Sequence, residues 1–165
     1  MLTLPEIVTR PEQPYAYIPF TVRMDQMQTP ADQGFSSLFP FLAGQGIAPA
    51  AAPFYNYRRI NMADTLDVEA GVPVGLAGQE GEGVRFGTLP AGRYATVAWH
   101  GHFDGLVQAT AMLIGWCRLV GHEFDMHARP DGDYFACRLE IYETNPASTP
   151  DPKDWVTTLA FKLAD

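Results

Sequence analysis

The segment YFACRLEIYET, residues 134–144, alternates apolar and polar residues with a period of two. In a strand, Phe135, Cys137, Leu139 and Ile141 fall on one side, and Ala136, Arg138, Glu140 and Tyr142 on the other. The apolar set is expected to face a helix, so Glu140 points the other way. Two readings of Glu140 stand side by side. On a solvated sheet face it is only a near neighbour of Arg138. Ringed by aromatic side chains it is a partly dehydrated carboxylate, which attracts flat cations by charge and cation–π contact. Burial of that kind also raises a carboxyl pKa and suits the group to general-base work. Tyr55, Tyr57, Trp99, Phe103, Trp116 and Tyr142 fall in strands, at strand ends or on helix faces, where they can supply those rings.

LPAGRYATVAWHG, residues 89–101, ends a strand on Trp99 and His100 just before a turn, where cleft mouths often form. The pair reads as one wall of a site. Trp116, at core spacing on a helix, reads first as packing area. Glu69 in DVEAG carries the same ambiguity as Glu140. The four histidines (100, 102, 122 and 127) form no HExxH or Cys/His zinc pattern, so no metal and no cofactor is expected. There is no GxSxG elbow. Gly78, Gly81 and Gly83 are in the wrong order for a dinucleotide loop, and Glu80 and Glu82 beside them would repel phosphate.

The elements that must position these residues recur twice. RPEQPYAYI (10–18) aligns with LPAGRYATV (89–97), placing Pro11 on Pro90, Tyr15 on Tyr94 and Ala16 on Ala95. A helix follows in each half. One carries Phe35, Leu38, Phe39 and Leu42, is capped by Asp32 and ends at Gly44 or Gly46. The other carries Leu106, Leu113, Trp116, Cys117 and Val120, is capped by Asp104 and ends at Gly121. Strands close both halves: 53–60 and 65–74 in the first, 134–144 and 155–163 in the second. The order strand-strand-helix-strand-strand thus appears twice, in pseudo-repeats of about 4–75 and 83–163 joined by 76–82 into one domain, with Glu69 and Glu140 in matching places. Amphipathic helices among such strands bury their apolar faces on an antiparallel sheet, so the fold class is α+β.

Eleven basic residues scattered among nineteen acidic ones, net charge −8, argue against direct nucleic-acid binding. No apolar run approaches the ~18 residues of a membrane span, and residues 1–14 lack the apolar core of a signal peptide. Cys117 and Cys137 read as small buried hydrophobes. A soluble, cytoplasmic chain is expected, as monomer or homodimer.

Taken together and in order, DVEAGVPV (67–74), LPAGRYATVAWHG (89–101), FDGL (103–106), RLEIYETNP (138–146) and WVTTLAFKL (155–163) resemble the GyrI-like small-molecule-binding family. This effector-binding domain occurs alone or attached to multidrug-responsive and AraC-type regulators, and the resemblance runs from about residue 4 to 163. It implies two pseudo-symmetric modules fused into one sheet, with a ligand cleft between the halves. It also implies a receptor for flat, aromatic, often cationic compounds, with an acidic residue near the cleft floor. The motif match carries that role onto Glu140, and pseudo-symmetry carries it more weakly onto Glu69. The chain departs from the family's Gly-Pro-Tyr at Gly101-His102-Phe103, which removes a hydroxyl and adds a titratable ring.

Three functions follow. The first is a stand-alone receptor or sequestering protein for hydrophobic xenobiotics, with no DNA-binding extension before the first strand. Its ligand-binding set would be Glu140, Glu69, Trp99, His100, Phe103, Tyr55, Tyr57, Trp116 and Tyr142. The second, implied by hydrolases in the family, is hydration of strained cyclopropanes, with Glu140 as base and His100 or Tyr142 as proton donor. The third is topoisomerase inhibition through an acidic surface.

Overall fold

The computed structural model describes all residues, Met1–Asp165. Ten strands form one antiparallel sheet: β1 (Glu6–Arg10), β2 (Gln13–Val22), β3 (Phe54–Ile60), β4 (Leu66–Pro73), β5 (Arg85–Leu89), β6 (Gly92–His100), β7 (Met126–Arg129), β8 (Gly132–Phe135), β9 (Arg138–Tyr142) and β10 (Val156–Lys162). Two helices, α1 (Ser36–Gly44) and α2 (Leu106–Val120), complete an α+β fold. The main strand order is β1-β6-β10-β9-β3-β4-β2-β5, and the β7–β8 hairpin is attached through β8 to β3. No helix is long and apolar enough to cross a membrane.

The leading strand of each half pairs in the other half. β1 precedes β2 in the chain but pairs with β6, and β5 precedes β6 but pairs with β2. In the sheet β1 and β2 lie six strand positions apart, as do β5 and β6. On a flat sheet that is about 29 Å, at about 4.8 Å per strand. Two linking residues span at most about 11 Å. The sheet must therefore curl until its edges approach, and one face closes on itself.

That closed face holds Tyr15, Phe54, Leu89, Tyr94, Cys137, Leu139 and Ile141 in a single buried cluster. The opposite face carries the helices. α2 packs through Leu106, Ala109, Leu113 and Cys117 on Val97, Leu159 and Phe161, and α1 packs through Leu38 and Leu42 on Ala16, Val72 and Val74. Strands β9 and β3 meet at the centre, Tyr55 opposite Glu140. Neither helix lies over that seam.

The parity expected for residues 134–142 is right, but its direction is reversed. Cys137, Leu139 and Ile141 face the closed interior rather than a helix, whereas Glu140 pairs with Leu159 and so shares the face that α2 covers. The run is also broken. β8 ends at Phe135, Ala136 N–H donates to Asp125 O, and β9 starts at Arg138.

Neither expected acidic cap is one. Asp32 lies inside a widened helical turn, Pro30–Phe35, that leads into α1. Before α2, His102 Nδ1 accepts from the Asp104 N–H, so His102 caps the short turn Phe103–Gly105 and Asp104 stays exposed. Gly121, at φ 83, ends α2 in the left-handed conformation that glycine adopts without strain.

Trp99 fixes the entry to α2. Its ring packs against Gly101 and Gly105, and its Nε1–H donates to His102 O at 2.8 Å. A Cβ on Gly105 would overlap Cζ2 and Cε2 of the Trp99 indole. Gly105→Ala should therefore lower stability by ~1–3 kcal/mol through overpacking, read as a reduced urea midpoint at unchanged slope. An unchanged midpoint would mean that Trp99 is free to move.

Candidate functional site

Between the helices, above the β9–β3 seam, lies a cavity of about 1100 Å³. Alternation along β9 sends Arg138, Glu140 and Tyr142 to this side, and β3 adds Tyr55 and Tyr57. Phe35 and Phe39 wall it from the α1 side, Phe103 and Leu106 from the α2 side.

The Glu140 carboxylate sits on the floor with both oxygens engaged. Tyr142 Oη donates to Oε1 at 2.6 Å, and Tyr57 Oη donates to Oε2 at 3.3 Å. Tyr55 Oη turns away and donates to Met27 O at 2.9 Å. The tyrosine rings stack edge-on: Tyr55 meets Tyr142 at 5.3 Å and 89°, and Tyr57 at 6.2 Å and 80°. Phe103 meets Tyr142 edge-on at 5.7 Å and is backed by Trp155 at 4.8 Å.

Loss of water dominates the electrostatics. Burial pushes the Glu140 carboxyl above the ordinary glutamate value, against the opposing pull of the two phenolic hydrogen bonds and the nearby Arg138. The same dehydration, reinforced by the carboxylate's charge, holds Tyr57 and Tyr142 well above the usual phenol range. Both phenols stay protonated and remain donors. The floor is thus a low-dielectric carboxylate whose remaining lone pairs face an apolar, ring-lined space, an arrangement that favours a soft, poorly hydrated cation.

Of the residues singled out from sequence, Glu140, Tyr55, Tyr57, Phe103 and Tyr142 come together here. The others do not. Trp99 packs, half-buried, against the α2 core and pins the helix entry. His100 ends β6, where its backbone pairs with Met1. Trp116 packs against the α2 core beside His122.

Glu69 lies on the closed face of the sheet, directly across β3 from Asn56, where it accepts from Tyr15 Oη at 2.6 Å and from Asn56 Nδ2 at 2.9 Å. It is 8% exposed and satisfied within the fold. Its expected equivalence to Glu140 fails because the strands correspond differently: β3 matches β9 and β4 matches β10, so the position across the seam from Glu140 is Tyr55. Sequence reasoning missed Phe35 and Phe39 as cavity walls because their helical spacing fits core packing equally well. It also left Arg138 as a bystander.

Solved structures show where this architecture recurs. The C-terminal domain of EcmrR superposes with a TM-score of 0.76 at 19% identity, covering 98% of each chain. The chain spans only 57% of EcmrR in its complex with DNA, at a TM-score of 0.75. SAV2435 bound to tetraphenylphosphonium gives a TM-score of 0.61 at 9% identity over 98% of this chain and 94% of that one. A hydrolase from Listeria innocua gives 0.64 at 12% over 97% and 91%. At these identities the likeness is one of fold. No curated protein matches the sequence. A family model does match, over residues 4–164, and the chain belongs to the GyrI-like small molecule binding domain family.

Proposed function

We propose that the cavity receives hydrophobic aromatic compounds bearing positive charge, which the protein senses or sequesters, and that Glu140 is the anionic anchor. One observation carries this reading: a dehydrated carboxylate at the floor of a large, ring-lined space between the helices. Tyr55, Tyr57, Phe103 and Tyr142 supply π-faces and edges, and the two phenols orient the carboxylate. Tetraphenylphosphonium, the ligand of the similarly folded SAV2435, is a suitable probe.

Isothermal titration of the wild type with tetraphenylphosphonium should give saturable binding, and Glu140→Gln should weaken it ~10–100-fold. Protonation removes the anchor, so wild-type affinity should fall as the pH drops through the Glu140 pKa. Because burial raises that pKa, the loss begins at higher pH than for an ordinary glutamate. Absence of saturable heat, or equal binding by the Gln variant, would refute the reading.

The same substitution should act oppositely on stability. A carboxyl whose pKa is raised on folding contributes stability below its unfolded pKa and loses it as pH rises through the folded one. Where Glu140 is ionised in the folded protein it is therefore a stability cost. Glu140→Gln should melt above wild type there, and the gap should close as pH falls toward the ordinary glutamate range. A variant that melts lower at every pH would contradict this.

A second reading rests on the short Tyr142–Glu140 hydrogen bond. A base and a protonated phenol share one dry site, as general acid–base hydration of a strained cyclopropane requires. Water's oxygen would bond to the ring carbon as the strained C–C bond breaks. Glu140 would take the proton from water, and Tyr142 would protonate the carbonyl oxygen, conjugated with the cyclopropane, that receives the bond's electrons. The proton on Glu140 would then return to the Tyr142 phenolate across their hydrogen bond. His100 lies outside the cavity and has no part in it. Incubation with a cyclopropane-bearing alkylator should then yield the product heavier by one water, and Tyr142→Phe should suppress it. Recovery of unchanged alkylator from the wild type would exclude this substrate class.

A further inference from the structure

Arg138 lies two residues before Glu140 on β9, on the same cavity-facing side. Its guanidinium carbon is 4.6 Å from the Phe161 ring centroid, 4.8 Å from Phe135 and 6.0 Å from Tyr57. The backbone N–H of Arg138 donates to Asn56 Oδ1, but its guanidinium makes no hydrogen bond and no ion pair within the protein. Arg59 offers the contrast. That guanidinium donates to both carboxylate oxygens of Asp67, to Thr65 O and Oγ1, and to Asp131 O. The buried Arg59 guanidinium is thus saturated. Arg138 is half-buried among rings, with its fork of donors unspent.

Nor does Arg138 simply neutralise Glu140. No ion pair joins them, and both carboxylate oxygens are already taken by the phenols. Same-side residues on a strand stand about 7 Å apart, so the floor carries two separate poles of opposite sign. A ligand with only positive charge meets the attraction of Glu140 and the repulsion of Arg138 together. A ligand carrying a cation and a carboxylate a few ångströms apart meets attraction at both, and a carboxylate matches the guanidinium fork bidentately.

We propose that the cavity selects amphoteric aromatic compounds, a flat cationic ring system bearing a carboxylate, with Glu140 receiving the cation and Arg138 the carboxylate. This rests on the cavity being a receptor site, and it narrows the ligand class from cations to zwitterions.

Rhodamine B and its ethyl ester make a matched pair. The charged xanthene is identical, and the carboxylate is masked as a neutral ester. By fluorescence anisotropy the wild type should bind the acid about tenfold more tightly than the ester. Arg138→Met should bring that ratio to about one and tighten the ester, while Arg138→Lys, which keeps the charge without the fork, should retain part of the preference. The wild-type ratio decides without any variant: an ester bound as tightly as the acid overturns the zwitterion proposal and leaves the receptor reading intact. A preference that survives Arg138→Met overturns the assignment to Arg138. If neither dye binds saturably, the receptor reading itself fails.

Discussion

A carboxylate held out of water at the junction of two half-sheets is the constraint around which the cavity floor is built. Moving an ionised group into a low-dielectric site is unfavourable by several kcal/mol unless partners replace the lost hydration. Here two phenols replace part of it, one at 2.6 Å and one at 3.3 Å. Burial, reinforced by the carboxylate's charge, raises their own pKa values, so the donors cannot be titrated away near neutrality. On the proposed reading, the hydration that has not been replaced would drive binding, and a cation arriving over the rings would complete the solvation shell that the protein leaves unfinished.

The backbone accounts for the position. Two-residue links join strands on opposite sides of the sheet, so it must curl, and curling assigns one face to a closed aromatic and aliphatic core. The other face is shared by two helices, each covering its own half. The seam between halves is left as a trough, and whatever alternation sends outward from β9 and β3 becomes its floor. Repetition of the halves would place like opposite like across that seam. Tyr55 opposite Glu140 breaks the likeness, so a nearly symmetric frame carries an asymmetric charge.

Much of this was legible in the residues, and the failures have physical causes. The period-two pattern of β9 and the helix stop at Gly121 are local properties and are legible in the residues. The duplicated order is legible only in part, because the second half adds the β7–β8 hairpin and splits the expected strand 134–144 at Ala136 and Cys137. Alternation reports which residues share a face but not which face meets a helix, and so the sequence pattern alone turns Glu140 away from the helix side that it occupies. Glu69 misled because a buried acid satisfied by Tyr15 and Asn56 leaves the same mark in a sequence as an acid awaiting a ligand. Asp104 has the composition of a helix cap, yet His102 takes the role through a ring nitrogen. Trp99 shares the motif around it with the cavity wall but does not line the cavity. Its task is to lock Gly105 and the start of α2, which places Phe103 in the wall.

The central claim is that Glu140 is a dehydrated carboxylate open to ligand. Carbon-13 NMR of side-chain carboxyls in selectively labelled protein reads this directly, with the Glu140 resonance assigned by its loss in Glu140→Gln. The account predicts that this signal titrates above the ordinary glutamate range in the free protein, and that its midpoint moves down when a saturating aromatic cation stabilises the charged form. A Glu140 signal that titrates like a solvent-exposed glutamate and ignores the cation would contradict it.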